Sequence, residues 1–171
     1  MFYSSTDGQY IQEGQAFTIN DVQYPSNWLN LSTPEEKSEI GLEEVIATNS
    51  PKSDVYYWVS STLDKATLTY VNTPKNLTDV KSNALSTINN TAYTILQPSD
   101  WMVVKATETS TPINPDWNTY RANVRSTADQ TRTAVTAAQD VDAVATIMGA
   151  IAWPKSPSTL AAEAAQAPVS E

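Results

Sequence analysis

Neither cysteine nor histidine occurs anywhere in this chain of 171 residues. The first absence excludes disulfides, thiolate nucleophiles and thiolate metal ligands. The second removes the side chain that most often serves as general base and as metal ligand. Any catalysis would rest on carboxylates, lysine, serine or tyrosine alone. Basic charge is scarce too: ten Lys and Arg stand against nineteen Asp and Glu, a formal net charge of −9. A field of that sign repels phosphate, so neither nucleic acid nor an anionic membrane is an expected partner. No stretch approaches the roughly 18 consecutive apolar residues that a membrane-spanning helix needs. The first residues, Met1 to Asp7, lack the basic and apolar regions of a signal peptide.

Bulk comes from five Trp and eight Tyr, with only two Phe. Trp and Tyr join an apolar body to a polar tip, which suits a small β-rich core and a surface where proteins meet equally well. The length fits one domain or two small ones with a real core. Asn-x-Ser/Thr sequons at Asn30, Asn76 and Asn89 are expected by chance in a chain rich in Asn, Ser and Thr.

The pattern predicts an α+β protein: a β-rich unit over residues 1–72, a long antiparallel helix pair over 73–153, and an Ala/Pro/Ser-rich tail over 154–171. Strand formers flank Asp7-Gly8, a hairpin turn signal, and Asn20-Asp21, another turn pair. Thr33-Pro34-Glu35-Glu36 reads as a capping box opening a two-turn helix that ends at Gly41, with Trp28, Leu29 and Leu31 as its packing surface. Leu42 to Ile46 returns as a strand, and two further strands, Tyr56–Val59 and Thr67–Val71, surround a turn over Ser61–Ala66.

From Thr73-Pro74 the period becomes helical. Leu77, Val80, Ala84, Ile88, Ala92 and Ile95 step by three and four. Pro98 interrupts that helix, with Ser99 or Asp100 capping a renewed turn through Trp101 to Val104. Thr107 to Pro115 is a loop, and a second long helix begins near Asp116 with Trp117, Tyr120, Val124, Ala128, Thr131 and Val135 on one face. Asp140 caps a further segment through Met148. After Trp153-Pro154 the composition is too small and polar to build a core. That tail, in which Leu160 and Val169 are the only large aliphatics, is expected to gain order only against a partner.

Residues that carry chemistry are hard to find. No phosphate loop, nucleophile elbow or zinc spacing is present, and no cofactor or metal is expected. The carboxylates Glu35, Glu36, Glu39, Glu43 and Glu44 lack the alternating ligands of a calcium loop, and acids in a first helical turn already favour the helix dipole. Arg121, Arg125 and Arg132 share one helical face; they either dock an acidic partner or pair internally with Asp116, Asp129 or the acidic N-terminal unit. Trp101 and Trp117 flank the predicted loop and either clamp the helix pair or, with Tyr120, anchor another protein.

Two aromatic blocks stand some distance apart. The first runs Tyr24-Pro25-Ser26-Asn27-Trp28-Leu29, then Ser32-Thr33-Pro34-Glu35-Glu36-Lys37 and Ile40-Gly41-Leu42. The second runs Pro98-Ser99-Asp100-Trp101, then Asp116-Trp117-Asn118-Thr119-Tyr120-Arg121 and Arg125. In this order, from Gln9 to Met148, they resemble a group of small bacteriophage proteins encoded near tail-fibre genes, the tail-fibre-associated or tail-assembly proteins. The resemblance implies a virion structural protein made in the bacterial host cytoplasm. It would be a connector or decoration bound to tail, baseplate or fibre proteins, and homo-oligomeric in the particle. Within the group the alternative role is a fibre assembly chaperone that leaves the virion. A carboxylate-based hydrolase acting on host glycans is a third, separate possibility with no motif of its own. The residues expected to touch a partner are Trp101, Trp117, Tyr120, Arg121, Arg125 and Leu160.

Overall fold

The computed structural model describes residues 1–166. Val169 lies outside them. The chain divides into two compact units, Met1–Thr73 and a second beginning at Pro74. Strands end at Pro74 and the long helices follow, so the class is α+β.

In the first unit, β1 (Phe2–Ser4) is the middle strand between β2 (Tyr10–Ile11) and β5 (Leu42–Glu44), antiparallel to both, with Phe2 opposite Ile11 and Ser4 opposite Leu42. A second hairpin joins β3 (Phe17–Ile19) to β4 (Val22–Tyr24). Its turn residues Asn20 and Asp21 both take positive φ, 50° and 65°, the mirror-image turn that matches strand twist. Short helix α1 (Trp28–Leu31) leads into α2 (Pro34–Glu39). The capping box is complete: Glu36 N–H donates to Thr33 Oγ1 at 3.2 Å, and Thr33 N–H donates to Glu36 Oε2 at 2.8 Å. Gly41 closes the segment at φ +77°, and a Cβ there would meet Thr6 Oγ1 at 2.7 Å, so a side chain is strained on two counts.

The core of this unit is Phe2, Ile11, Ile19, Leu29 and Leu42. Trp28 forms its wall rather than its centre, half-buried and edge-on to Phe17 and Tyr24 at 6.0 and 4.9 Å between ring centroids. Leu31, expected beside it, is 76% exposed, because α1 has room to turn only Leu29 inward. The predicted strand over Leu42–Ile46 also divides. Val45 N–H still reaches Met1 O, while Ile46 N–H bonds Ala66 O, so the chain changes partners between consecutive residues.

That change starts a third sheet, ordered β6 (Ile46–Ala47), β8 (Thr67–Pro74), β7 (Tyr57–Asp64). β6 is parallel to β8, and Asn49 prolongs it: its side chain accepts from Tyr70 N–H at 2.7 Å and donates to Tyr70 O at 2.8 Å, standing in for a strand backbone. The expected turn over Ser61–Ala66 contracts to Lys65-Ala66, with Lys65 at φ 50°.

In the second unit, α3 (Leu77–Leu96) starts at Asn76, whose side chain accepts from Thr78 and Asp79 N–H. This is later than Thr73-Pro74 because β8 occupies those residues. Val80, Ala84, Ile88 and Ala92 are buried along the expected stripe. α5 (Pro115–Ala137) buries Tyr120, Val124, Ala128 and Val135. The two helices run antiparallel: Lys81 bonds Thr136 O, Arg132 bonds Asn89, and Arg121 bonds Leu96 O, so positions rise along one helix as they fall along the other. α6 (Val141–Gly149), capped by Asp140, packs on both and buries Val141 and Val144.

Within the expected tail, residues Pro157–Gln166 form a helix, α7. Ser156 Oγ accepts from Thr159 N–H at 3.1 Å, Pro157 sits at the helix start, and Lys155 pairs with Glu163 at 2.7 Å. A capped, alanine-rich decapeptide has high helix propensity without a core, and α7 buries none of its residues.

Candidate functional site

Between α3 and α5 the chain makes a 3-10 turn, Gln97–Ser99, and then α4 (Asp100–Thr109). Pro98 forces the turn, since a proline in mid-helix removes a donor and clashes with the preceding turn. Ser99 or Asp100 was expected as a side-chain cap; the Ser99 hydroxyl instead donates to Leu96 O at 2.8 Å and accepts from Arg121.

Arg121 is therefore not a surface contact. It is 4% exposed, and its guanidinium bonds Leu96 O at 3.1 Å, Ser99 Oγ and Asp100 Oδ1 at 2.7 Å. These are the last carbonyl of α3, the 3-10 turn and the first residue of α4. One planar fork thus fixes the direction in which α4 leaves the helix pair. The internal partner is Asp100, a residue the arginine stripe did not suggest. The three arginines have different fates: Arg132 is half-buried and held by Asp129 and Asn89, while Arg125 is exposed.

Tyr120 is also internal, 8% exposed, and burial raises its phenol above the ordinary value near 10.0. Trp117 lies edge-on to it at 5.7 Å and is half-buried. Trp101 is the opposite case. It is 57% exposed on α4, with the Lys105 ammonium 5.9 Å from its ring centroid.

α4 buries none of its residues. Trp101, Val103 and Val104 are all exposed, and Tyr93 near the end of α3 is 63% exposed. Trp101 and Trp117 do come together, not as a clamp but as two walls of an open groove of about 310 Å³ completed by Met102, Lys105, Pro112 and Ile113. The loop at its base is shorter than expected, because α4 runs on to Thr109 and Ser110 takes a left-handed turn at φ 52°. Leu160, 52% exposed on α7, belongs to a separate groove of about 350 Å³ with Tyr120, Asn123 and Lys155. The six expected contact residues thus separate: Trp101 and Trp117 share one groove, Leu160 and the largely buried Tyr120 line another, Arg125 is exposed, and Arg121 is internal. Val103 and Val104, not among the expected contact residues, are exposed beside Trp101; they belong to the unbroken apolar run from Trp101, which no helical spacing explains.

Among the described residues no group of carboxylates is placed to hold a metal ion, and no helix is long and apolar enough to cross a membrane. No family model matches the chain, and no curated protein or solved structure is similar to it.

Proposed function

We propose that this chain is a virion component of a tailed bacteriophage, attached at the tail, baseplate or fibre, and that it acts as a connector or decoration through protein–protein contacts. The observation that carries the contact role is α4. Arg121 holds this helix firmly at its base, yet it leaves Trp101, Val103 and Val104 in solvent beside a groove lined by two tryptophans. An exposed apolar run on a helix anchored at its base, with no core of its own to cover, is the anatomy of a binding surface, and tryptophan is enriched at binding hot spots. The phage assignment is supported by the two aromatic blocks and their resemblance to tail-associated proteins. Mass spectrometry of purified particles tests it. Stoichiometric presence of the chain is expected; its absence from particles, with abundance in infected cells, would make it an assembly chaperone instead.

A further inference from the structure

The third sheet of the first unit has an open side. β7 is its outer strand, spans Tyr57–Asp64, and is exposed at every residue after Tyr57. Outer strands normally carry lysine, proline or a bulge that prevents pairing with another chain. β7 has no lysine or proline, and Val55 to Leu63 contains no charged residue in a chain of net charge −9. The opposite edge, β6, is only two residues long.

The outward backbone groups follow from the bonds on the inner side. Leu68 O accepts from Thr48 N–H and both Tyr70 backbone groups bond Asn49, so these residues face away from β7. Alternation then turns Thr67, Thr69 and Val71 towards β7. Across the Lys65-Ala66 turn, Asp64 faces Thr67, so Asp64, Thr62 and Ser60 point inward. Leu63, Ser61 and Val59 are left with outward N–H and C=O groups.

We infer that β7 is a homodimer edge, pairing antiparallel with β7 of a second copy about a twofold axis through Ser61. An isologous contact must be self-complementary, and this register is: Ser61 meets Ser61, and Val59 of each copy meets Leu63 of the other on the same face. These aliphatics are 36% and 37% exposed in the single chain. Tyr57 is the only buried residue of this sheet, and none of its residues belongs to the core cluster of the first unit, so the sheet has most to gain from extension. The inference is independent of the phage assignment.

The test is the mass of the purified full chain across a concentration series, by sedimentation and light scattering. The wild type is expected to dimerise. Ser61→Pro removes an outward donor and leaves the inner hairpin bonds, so it should be monomeric with an unchanged circular dichroism spectrum. Should that variant fail to fold, a charge exchange decides. Val59→Lys with Leu63→Lys, and Val59→Glu with Leu63→Glu, are each expected to be monomeric, while their mixture forms a heterodimer. A wild type that is monomeric at every concentration, a trimer, a folded Ser61→Pro protein that keeps the wild-type mass, or a charge-exchange mixture that stays monomeric overturns the inference.

Discussion

Helices α4 and α5 follow one another along the chain, and the more apolar stretch is the one left in solvent. α5 carries three arginines and two aspartates, yet buries Tyr120, Arg121, Val124, Ala128 and Val135. α4 reads Asp-Trp-Met-Val-Val-Lys-Ala and buries nothing. Spacing decides the difference. Steps of three and four place the apolar residues of α5 on one stripe against α3, whereas four consecutive apolar residues distribute Trp101 to Val104 around the whole circumference of α4. The first unit repeats the contrast. β1, β2, β3 and β5 each supply the core cluster, while the third sheet buries Tyr57 alone and keeps Trp58 and Ile46 exposed. In both units a closed core stands beside an element that leaves large apolar side chains exposed.

That contrast can be broken by substitution. Ile88→Ala, at a side chain with no exposure, should cost about 2–5 kcal/mol in urea denaturation. Val104→Ala on α4 should stay within about 0.5 kcal/mol. Comparable losses at the two positions would mean that α4 is part of the core. Next comes Arg121→Met, which strands Ser99, Asp100 and the Leu96 carbonyl together; because Asp100 is half exposed, the expected loss is about 2–4 kcal/mol. Arg121→Lys should recover only part of it, since a lysine lacks the fork that reaches both acceptors. Full recovery would show that charge alone matters there.

Smaller effects sharpen the same picture in the first unit. A fully buried tryptophan replaced by alanine costs about 3–5 kcal/mol. As a half-buried wall against Phe17 and Tyr24, Trp28→Ala should cost nearer 2–3 kcal/mol, and an unchanged melting temperature would make it a contact residue instead. Thr33→Ala removes one half of the capping box and should cost about 1 kcal/mol.

Local signals were legible wherever the chemistry is local. Asn20-Asp21 gave its turn, Thr33 and Glu36 their reciprocal cap, and the stripe from Val80 to Ala92 its buried face. What stayed hidden depends on distant partners. Nothing near Arg121 in sequence points to Asp100, because the pair spans 21 positions and forms only once α3 and α5 lie antiparallel. The exchange of partners at Val45 is equally silent, since a run of strand formers does not say which edge it joins. Helix α7 was legible in principle: Ser156-Pro157 is a helix start, but the alanines after it read as filler rather than as helix. The candidate site fared similarly. Its tryptophans were visible, and so was the place of Tyr120 on the apolar face with Val124, Ala128 and Val135; the burial of Arg121 was not.

On the virion assignment proposed above, the contact role of α4 is tested most directly in the particle. The phage is grown with a chain carrying Trp101→Glu and Val104→Glu, and the purified particles are analysed for it by quantitative mass spectrometry. Because α4 buries no residue, the variant should fold and accumulate in infected cells like the wild type while being lost from particles. A folded variant that enters particles at the wild-type level would contradict the account.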